Sequence, residues 1–195
     1  VIESFPNDLW PGYKTRAGIE PDLLPQFHRL EDALGAMGVK VWAMVEFEAD
    51  DALAAAAQLA AQSPQVEQVI ICTPDKDLSQ CVTGERIVQL DRRKRETRNE
   101  QGVVARFGVG PRSIPDYLAL VGDSADGFPG IPGWGEKASS ALLGRYEHLE
   151  RIPASPTAWE VPVRGAARLS AALEENRPLA LLFRKLATLR SDVPV

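Results

Sequence analysis

The run Val69-Ile70-Ile71-Cys72-Thr73 constrains the fold most. It is short, continuous, apolar and largely β-branched, as expected of a strand covered on both faces. Before it, Ala49 to Gln62 is alanine-rich, and alanine is the best helix former. Val39 to Val45 alternates β-favouring residues and reads as another strand. Residues 76 to 82 read as a short helix and Ile87 to Leu90 as a further strand. Strand alternating with helix predicts an α/β core with a mostly parallel sheet. Upstream, residues 1 to 26 are rich in proline and read as irregular. From Leu23 the apolar residues Phe27, Leu30, Leu34 and Met37 recur at helical spacing, and Gly38 suits the helix end.

The pattern changes near Asn99. Val103 to Phe107, Ile114 to Val121, Lys137 to Leu143 and Leu169 to Leu189 read as helices joined by Gly- and Pro-rich turns. The expected organisation is an α/β domain over residues 1–99 and an all-α domain over residues 100–195.

Composition excludes several classes. Two cysteines cannot build a disulfide scaffold or a four-cysteine zinc site, and two histidines argue against a histidine-built metal centre. No apolar run approaches the roughly 18 residues of a membrane span, so a cytoplasmic protein is the default. The chain begins at Val1 rather than Met, which reads as a fragment cut at the N-terminus. A net charge of −5 argues against nucleic acid when taken alone. Its distribution argues otherwise. Arg86, Arg92, Arg93, Lys94, Arg95 and Arg98 crowd one stretch, while acidic residues cluster elsewhere.

Three acidic groups carry the chemical argument: Glu48 with Asp50 and Asp51, Asp75 with Asp77, and Asp123 with Asp126. The first two follow strands, where open α/β sheets place their sites. Converging carboxylates repel, and their ionisation needs cations. Hard oxygen ligands suit Mg²⁺ or Mn²⁺. Two such ions about 4 Å apart activate water and stabilise an in-line phosphoryl displacement. A plainer reading stands beside this one. Asp50 and Asp51 also suit a helix N-terminus, and Asp123 and Asp126 suit a turn.

Gly130-Ile131-Pro132-Gly133-Trp134-Gly135-Glu136-Lys137 precedes a helical run. Glycines let backbone approach a ligand, and a helix N-terminus presents free N–H groups to phosphate. The same segment also reads as a tight turn between packed helices.

In order, Phe47-Glu48-Ala49-Asp50-Asp51, Thr73-Pro74-Asp75-Lys76-Asp77, Gly122 to Gly130 (GDSADGFPG) and Gly133-Trp134-Gly135-Glu136-Lys137 resemble the bacterial 5′→3′ exonuclease family. That family is related to flap endonucleases and to the nuclease domain of DNA polymerase I, and the likeness is greatest to its stand-alone members. The resemblance runs from about Tyr13 to the C-terminus. It implies a PIN-like (resolvase-like) parallel-sheet nuclease core, then an all-α helix–three-turn–helix (SAM-like) DNA-binding domain. It implies two divalent ions, Mg²⁺ or Mn²⁺, and hydrolysis of DNA at a 5′ end, flap or single-strand/double-strand junction. Carried onto this sequence, Glu48, Asp50, Asp51, Asp75, Asp77, Asp123 and Asp126 match the metal-binding carboxylates. Gly130, Gly133, Gly135 and Lys137 match a hairpin that grips the duplex backbone, often with bound K⁺. Tyr13 and Lys14 match the pair at the base of the arch over the site, where the lysine meets the scissile phosphate. Arg16 stands for the arginine of that segment, at a spacing one residue shorter.

The chain also departs from the pattern. The resemblance places the first strand and two further metal-site aspartates before Val1. Gly127 replaces the usual asparagine, and Pro74 a small residue. The expected function is a metal-dependent 5′→3′ exonuclease or flap endonuclease, monomeric by default. Two alternatives stay open: a non-catalytic, structure-specific DNA-binding module, and a PIN-type ribonuclease. Of the remaining residues, the run Arg92 to Arg98 reads as phosphate contacts or as a solvated hairpin, and Trp134 as a stacking residue or as hairpin packing. Cys72 reads as a small core residue, and His28 and His148 lack an obvious acid–base partner.

Overall fold

The computed structural model describes residues 5–14, 20, 22, 23 and 25–195. Helices α1 (Phe5–Leu9) and α2 (Gln26–Ala36) precede α3 (Ala49–Gln62). Strand β1 (Val69–Ile71) follows, then a 3₁₀ turn over Asp77–Cys81. Strands β2 (Ile87–Asp91) and β3 (Glu96–Arg98) complete the sheet. Helices α4 (Glu100–Phe107), α5 (Ile114–Val121), α6 (Glu136–Tyr146), α7 (Ala166–Glu175) and α8 (Arg177–Ala187) fill the second half.

The sheet order is β1-β2-β3. β1 and β2 pair in parallel, with Ile70 opposite Val88, while β3 returns antiparallel. Among the described residues the sheet thus has one parallel and one antiparallel pairing. The return is built by Asp91, which is buried and whose Oδ1 accepts from the N–H groups of Arg93 (3.0 Å) and Lys94 (3.1 Å). The basic run Arg92 to Arg95 thus forms the exposed loop of a hairpin.

Val39 to Val45 forms no strand. Extended backbone needs a ladder partner, and none of the three strands among the described residues pairs with it. Val39 and Val45 are consequently exposed, and so is most of the apolar face of α2. β1 is covered on one side only, since Ile71 is buried and Ile70 half-exposed. Cys72, just beyond it, is exposed rather than a core residue. The run expected as one helix from Leu169 to Leu189 is two. Asn176 leaves helical geometry (φ −108°, ψ 18°), and Pro178 starts α8 in the first turn, where its missing N–H costs nothing.

The main core lies in the helical half. α5 is apolar nearly all round and buried from Ile114 to Leu120, so it sits centrally, chiefly against α8 and α6. Phe183 of α8 stacks on Phe128 (5.3 Å) and meets Trp10 edge-on (5.2 Å). Tyr13 and Val82 join this core from the first half of the chain. A smaller cluster of Ala57, Ile71, Leu78 and Ile87 lies between α3 and the sheet.

Candidate metal centre and glycine hairpin

Four chain segments converge on one acidic cluster. At the start of α3, Glu48 precedes the helix, and its N–H donates to Asp51 Oδ2 (3.0 Å). Asp50 occupies the first turn. After β1, the Asp75 N–H donates to Thr73 Oγ1 (3.1 Å), and the Asp77 N–H donates to Asp75 Oδ1 (3.2 Å). That local turn sends Asp77 inward and leaves Asp75 exposed. After α5, Asp123 and Phe128 exchange backbone hydrogen bonds (2.8 and 3.0 Å), closing a tight loop. Asp123 Oδ1 accepts from the Ala125 N–H (2.9 Å), which shapes the loop so that Asp123 and Asp126 face the same way. Glycine is required below this loop. Gly122 and Gly130 have φ of 90° and 73°, and a Cβ on Gly130 would lie 2.5 Å from the Gly122 nitrogen.

The fourth segment is Trp10 to Lys14. The Trp10 indole N–H donates to the Gly127 carbonyl (2.9 Å), and the Lys14 N–H donates to the Asp126 carbonyl (3.2 Å). Only glycine fits at 127. Its φ is 81°, and a Cβ there would lie 2.0 Å from the Gly12 carbonyl oxygen. The docked segment buries Tyr13, whose hydroxyl donates to Glu48 Oε2 (2.7 Å) and lies 3.4 Å from Asp126 Oδ2. Lys14 adopts a left-handed backbone (φ 33°), the kind of strain that functional sites store.

Asp77, Asp123 and Asp126 are buried, and each offers a carboxylate oxygen within 4.8 Å of the others. Two lysines partly neutralise the cluster. Lys14 Nζ lies 3.0 Å from Glu48, 3.3 Å from Asp126 and 3.7 Å from Asp50. Lys76 Nζ lies 2.6 Å from Asp123 Oδ2. Among the described residues, buried Asp77 Oδ1 has no hydrogen-bond partner. Burial, then the charges of Asp126, Asp75 and Asp123, push the Asp77 carboxyl up to about 9. Burial pushes Asp50 up to about 6 against the pull of Lys14, and Asp126 also moves up. Burial and then the Glu48 and Asp126 charges raise the Tyr13 phenol. For Lys14, burial favours proton loss, but Glu48 and Asp126 outweigh it and hold the ammonium charged. A buried, unpartnered carboxylate oxygen among repelling carboxylates is what a hard divalent cation relieves, so the donor set fits Mg²⁺ or Mn²⁺.

The other expected site residues are placed differently. Asp51 is buried, accepts from the Glu48 N–H and accepts at Oδ1 from the Arg190 N–H (2.8 Å). It therefore closes the start of α3 and ties the C-terminal segment to it. Arg16 lies outside the described residues. In the glycine hairpin, Gly130 is buried, while Gly133, Gly135 and Lys137 are exposed at the start of α6. Gly135 precedes that helix and brings no side-chain acceptor to its first N–H groups. Trp134 is buried, and its indole N–H donates to the Leu169 carbonyl (3.0 Å), so it packs the hairpin onto α7.

Sequence reasoning missed some contacts. Lys76 stands inside the Asp75-Lys76-Asp77 motif, and that position was the available signal. His148 does have a partner, since its Nδ1 lies 2.9 Å from buried Asp116, which also holds Arg184 (3.2 Å). No sequence pattern links these three positions.

Comparisons with known proteins show the family and the fold. A family model described as 5′-3′ exonuclease, N-terminal resolvase-like domain, matches residues 2–108, and the 5′-3′ exonuclease C-terminal SAM fold matches residues 109–195. DNA polymerase I of Pseudomonas aeruginosa is 37% identical over 199 residues, covering 97% of this chain and 21% of that protein. The 5′-3′ exonuclease of Buchnera aphidicola subsp. Acyrthosiphon pisum is 32% identical over 196 residues, covering 99% of this chain and 67% of that protein. The chain thus spans about a fifth of the polymerase and two thirds of the exonuclease. The bacteriophage T5 D15 flap endonuclease, in a pseudo-enzyme–product complex with DNA and metal ions, shares the fold. Its TM-score is 0.74 at 19% identity, with 95% of this chain and 70% of that chain covered. Among the described residues no helix is long and apolar enough to cross a membrane.

Proposed function

The chain belongs to the 5′-3′ exonuclease family, and from that premise we propose that it hydrolyses DNA phosphodiester bonds at a 5′ end or flap junction with Mg²⁺ or Mn²⁺. One observation carries the reading: a buried Asp77 oxygen without a partner, beside Asp123 and Asp126. Asp77, Asp123 and Asp126 would hold one ion. Glu48 and Asp50, which share Lys14, and the exposed Asp75, whose charge acts on Asp50, would serve a second. When bound, the ions supply an activated water and neutralise charge on the leaving 3′ oxygen.

The chain's own groups do the rest. Lys14 is held charged among Glu48, Asp50 and Asp126, yet its side chain stays about one third exposed (31%). At the rim of the cluster, the Lys14 ammonium would reach the non-bridging oxygens of the scissile phosphate, where negative charge grows. Tyr13 fixes Glu48 through its hydroxyl and keeps Lys14 at the rim. The exposed Gly133, Gly135 and Lys137 present backbone N–H groups and one positive charge to duplex phosphates. The exposed loop Arg92 to Arg95 adds positive charge on the sheet side.

The test is cleavage of 5′-labelled flap DNA, and of the matching RNA, by the intact protein. The expected result is release of short 5′ fragments from DNA with Mg²⁺ or Mn²⁺, none with EDTA, and none with Asp77→Asn. DNA binding without cleavage in either metal would replace this reading by the DNA-binding module. Preference for RNA would replace it by the ribonuclease.

A further inference from the structure

β2 carries a polar residue where a strand core expects an apolar one. Gln89 lies midway along it, fully buried, with Ile87 and Val88 before it. An amide buried this deeply must be fully hydrogen-bonded to be tolerated. Its partners converge from both sides of the acidic loop. The Gln89 Nε2 group donates to the Asp75 carbonyl. Its Oε1 accepts from Ser79 Oγ (2.9 Å), just past Asp77, and from Arg98 Nη1 (3.1 Å) on β3. Ser79 and Arg98 are themselves buried. One side chain therefore clamps the loop before and after Asp77. Arg98 fixes which end of the amide faces which partner, because a guanidinium only donates.

This clamp answers a mechanical need. Asp75, Asp77, Asp123 and Asp126 repel, and Asp77 is the member whose carboxylate has an unpartnered oxygen. A loop free to yield would swing Asp77 away. We propose that Gln89, oriented by Arg98 and Ser79, is a positioning residue that holds the Asp75–Asp77 loop in the geometry that binds the divalent ion. The inference rests on the metal-dependent reading above.

The discriminating variant is Gln89→Glu. It keeps the shape, the Ser79 contact and the Arg98 partner, but it replaces the donor to the Asp75 carbonyl with an acceptor. Its added negative charge alone attracts a cation, so weaker metal binding reports geometry rather than charge. Mn²⁺ binding is measured by titration calorimetry on the intact protein, with circular dichroism checking the fold. The expected loss is about tenfold in Mn²⁺ affinity, in the range seen when groups supporting metal ligands are removed. Duplex DNA affinity stays unchanged, and cleavage recovers at excess Mn²⁺, which a variant lacking a ligand carboxylate does not do. A folded Gln89→Glu protein with wild-type Mn²⁺ affinity overturns the inference. Should Gln89→Glu not fold, Ser79→Ala removes one of the two donors to Oε1 and must give a smaller loss in the same direction; unchanged affinity there overturns it. If the wild-type protein itself binds no Mn²⁺, the metal-dependent reading fails.

Discussion

Replacing Gly127 with alanine tests how the site is assembled, because no ligand carboxylate is touched. The new Cβ would lie 2.0 Å from the Gly12 carbonyl oxygen, and ordinary contact begins at 3.4 Å, so the two segments must part by about 1.4 Å. Alanine at φ 81° adds a left-handed backbone cost of about 1–2 kcal/mol. Parting the segments breaks the Trp10–Gly127 and Lys14–Asp126 hydrogen bonds, each worth about 1 kcal/mol. Tyr13 leaves the main core, but the packing of α5 on α8 stays, so the protein folds with Tyr13 and Lys14 displaced. A misplacement near 1 Å costs on the order of 100-fold in rate. Single-turnover cleavage of flap DNA should therefore fall by about that factor, while Mn²⁺ binding at Asp77, Asp123 and Asp126 is retained. A folded Gly127→Ala protein that cleaves at the wild-type rate would refute the claim that docking on Gly127 places Lys14.

Further outcomes follow from the same geometry. Lys14→Ala should lower the cleavage rate with little change in DNA affinity, read from single-turnover rates beside filter binding. Lys137→Ala should weaken duplex binding and reduce the slope of log K against log salt by about 1, as loss of one phosphate contact requires. In metal-free protein the raised Asp77 carboxyl, about 9 against its usual 3.8, makes stability fall as pH rises from 4 towards 9, because the folded state resists losing that proton. Thermal melts with EDTA should show that fall. Asp77→Asn should flatten it, and Mg²⁺ should restore stability at high pH.

The sequence revealed most where local preference and tertiary context agree. Ala49–Gln62 forms the helix its alanines favour, and Ile114–Val121 the one its apolar residues favour. The acidic motifs were legible because short local turns present Asp77, Asp123 and Asp126, and those turns are written in adjacent residues. What was hidden depends on distant partners. Val39 to Val45 has strand composition but no ladder, and β-propensity expresses fit to a sheet rather than a property of the segment. β3 was masked by its charged residues, although Asp91 capping the hairpin turn was a readable cue. The break between α7 and α8 at Pro178 was readable too, but the apolar stripe running through both helices obscured it. Lys14 reaches the site only because Gly127 accepts the Gly12 backbone, a contact across more than a hundred residues.

The most direct test of the metal centre is anomalous diffraction from crystals of the protein grown with Mn²⁺. A peak is expected about 2.1 Å from carboxylate oxygens of Asp77, Asp123 and Asp126, the spacing of an octahedral oxygen site for a small hard cation. Lys14 should turn away from the carboxylates the ions take. A crystal with Mn²⁺ bound elsewhere, and with Asp77 Oδ1 still without a partner at saturating metal, would contradict this metal centre.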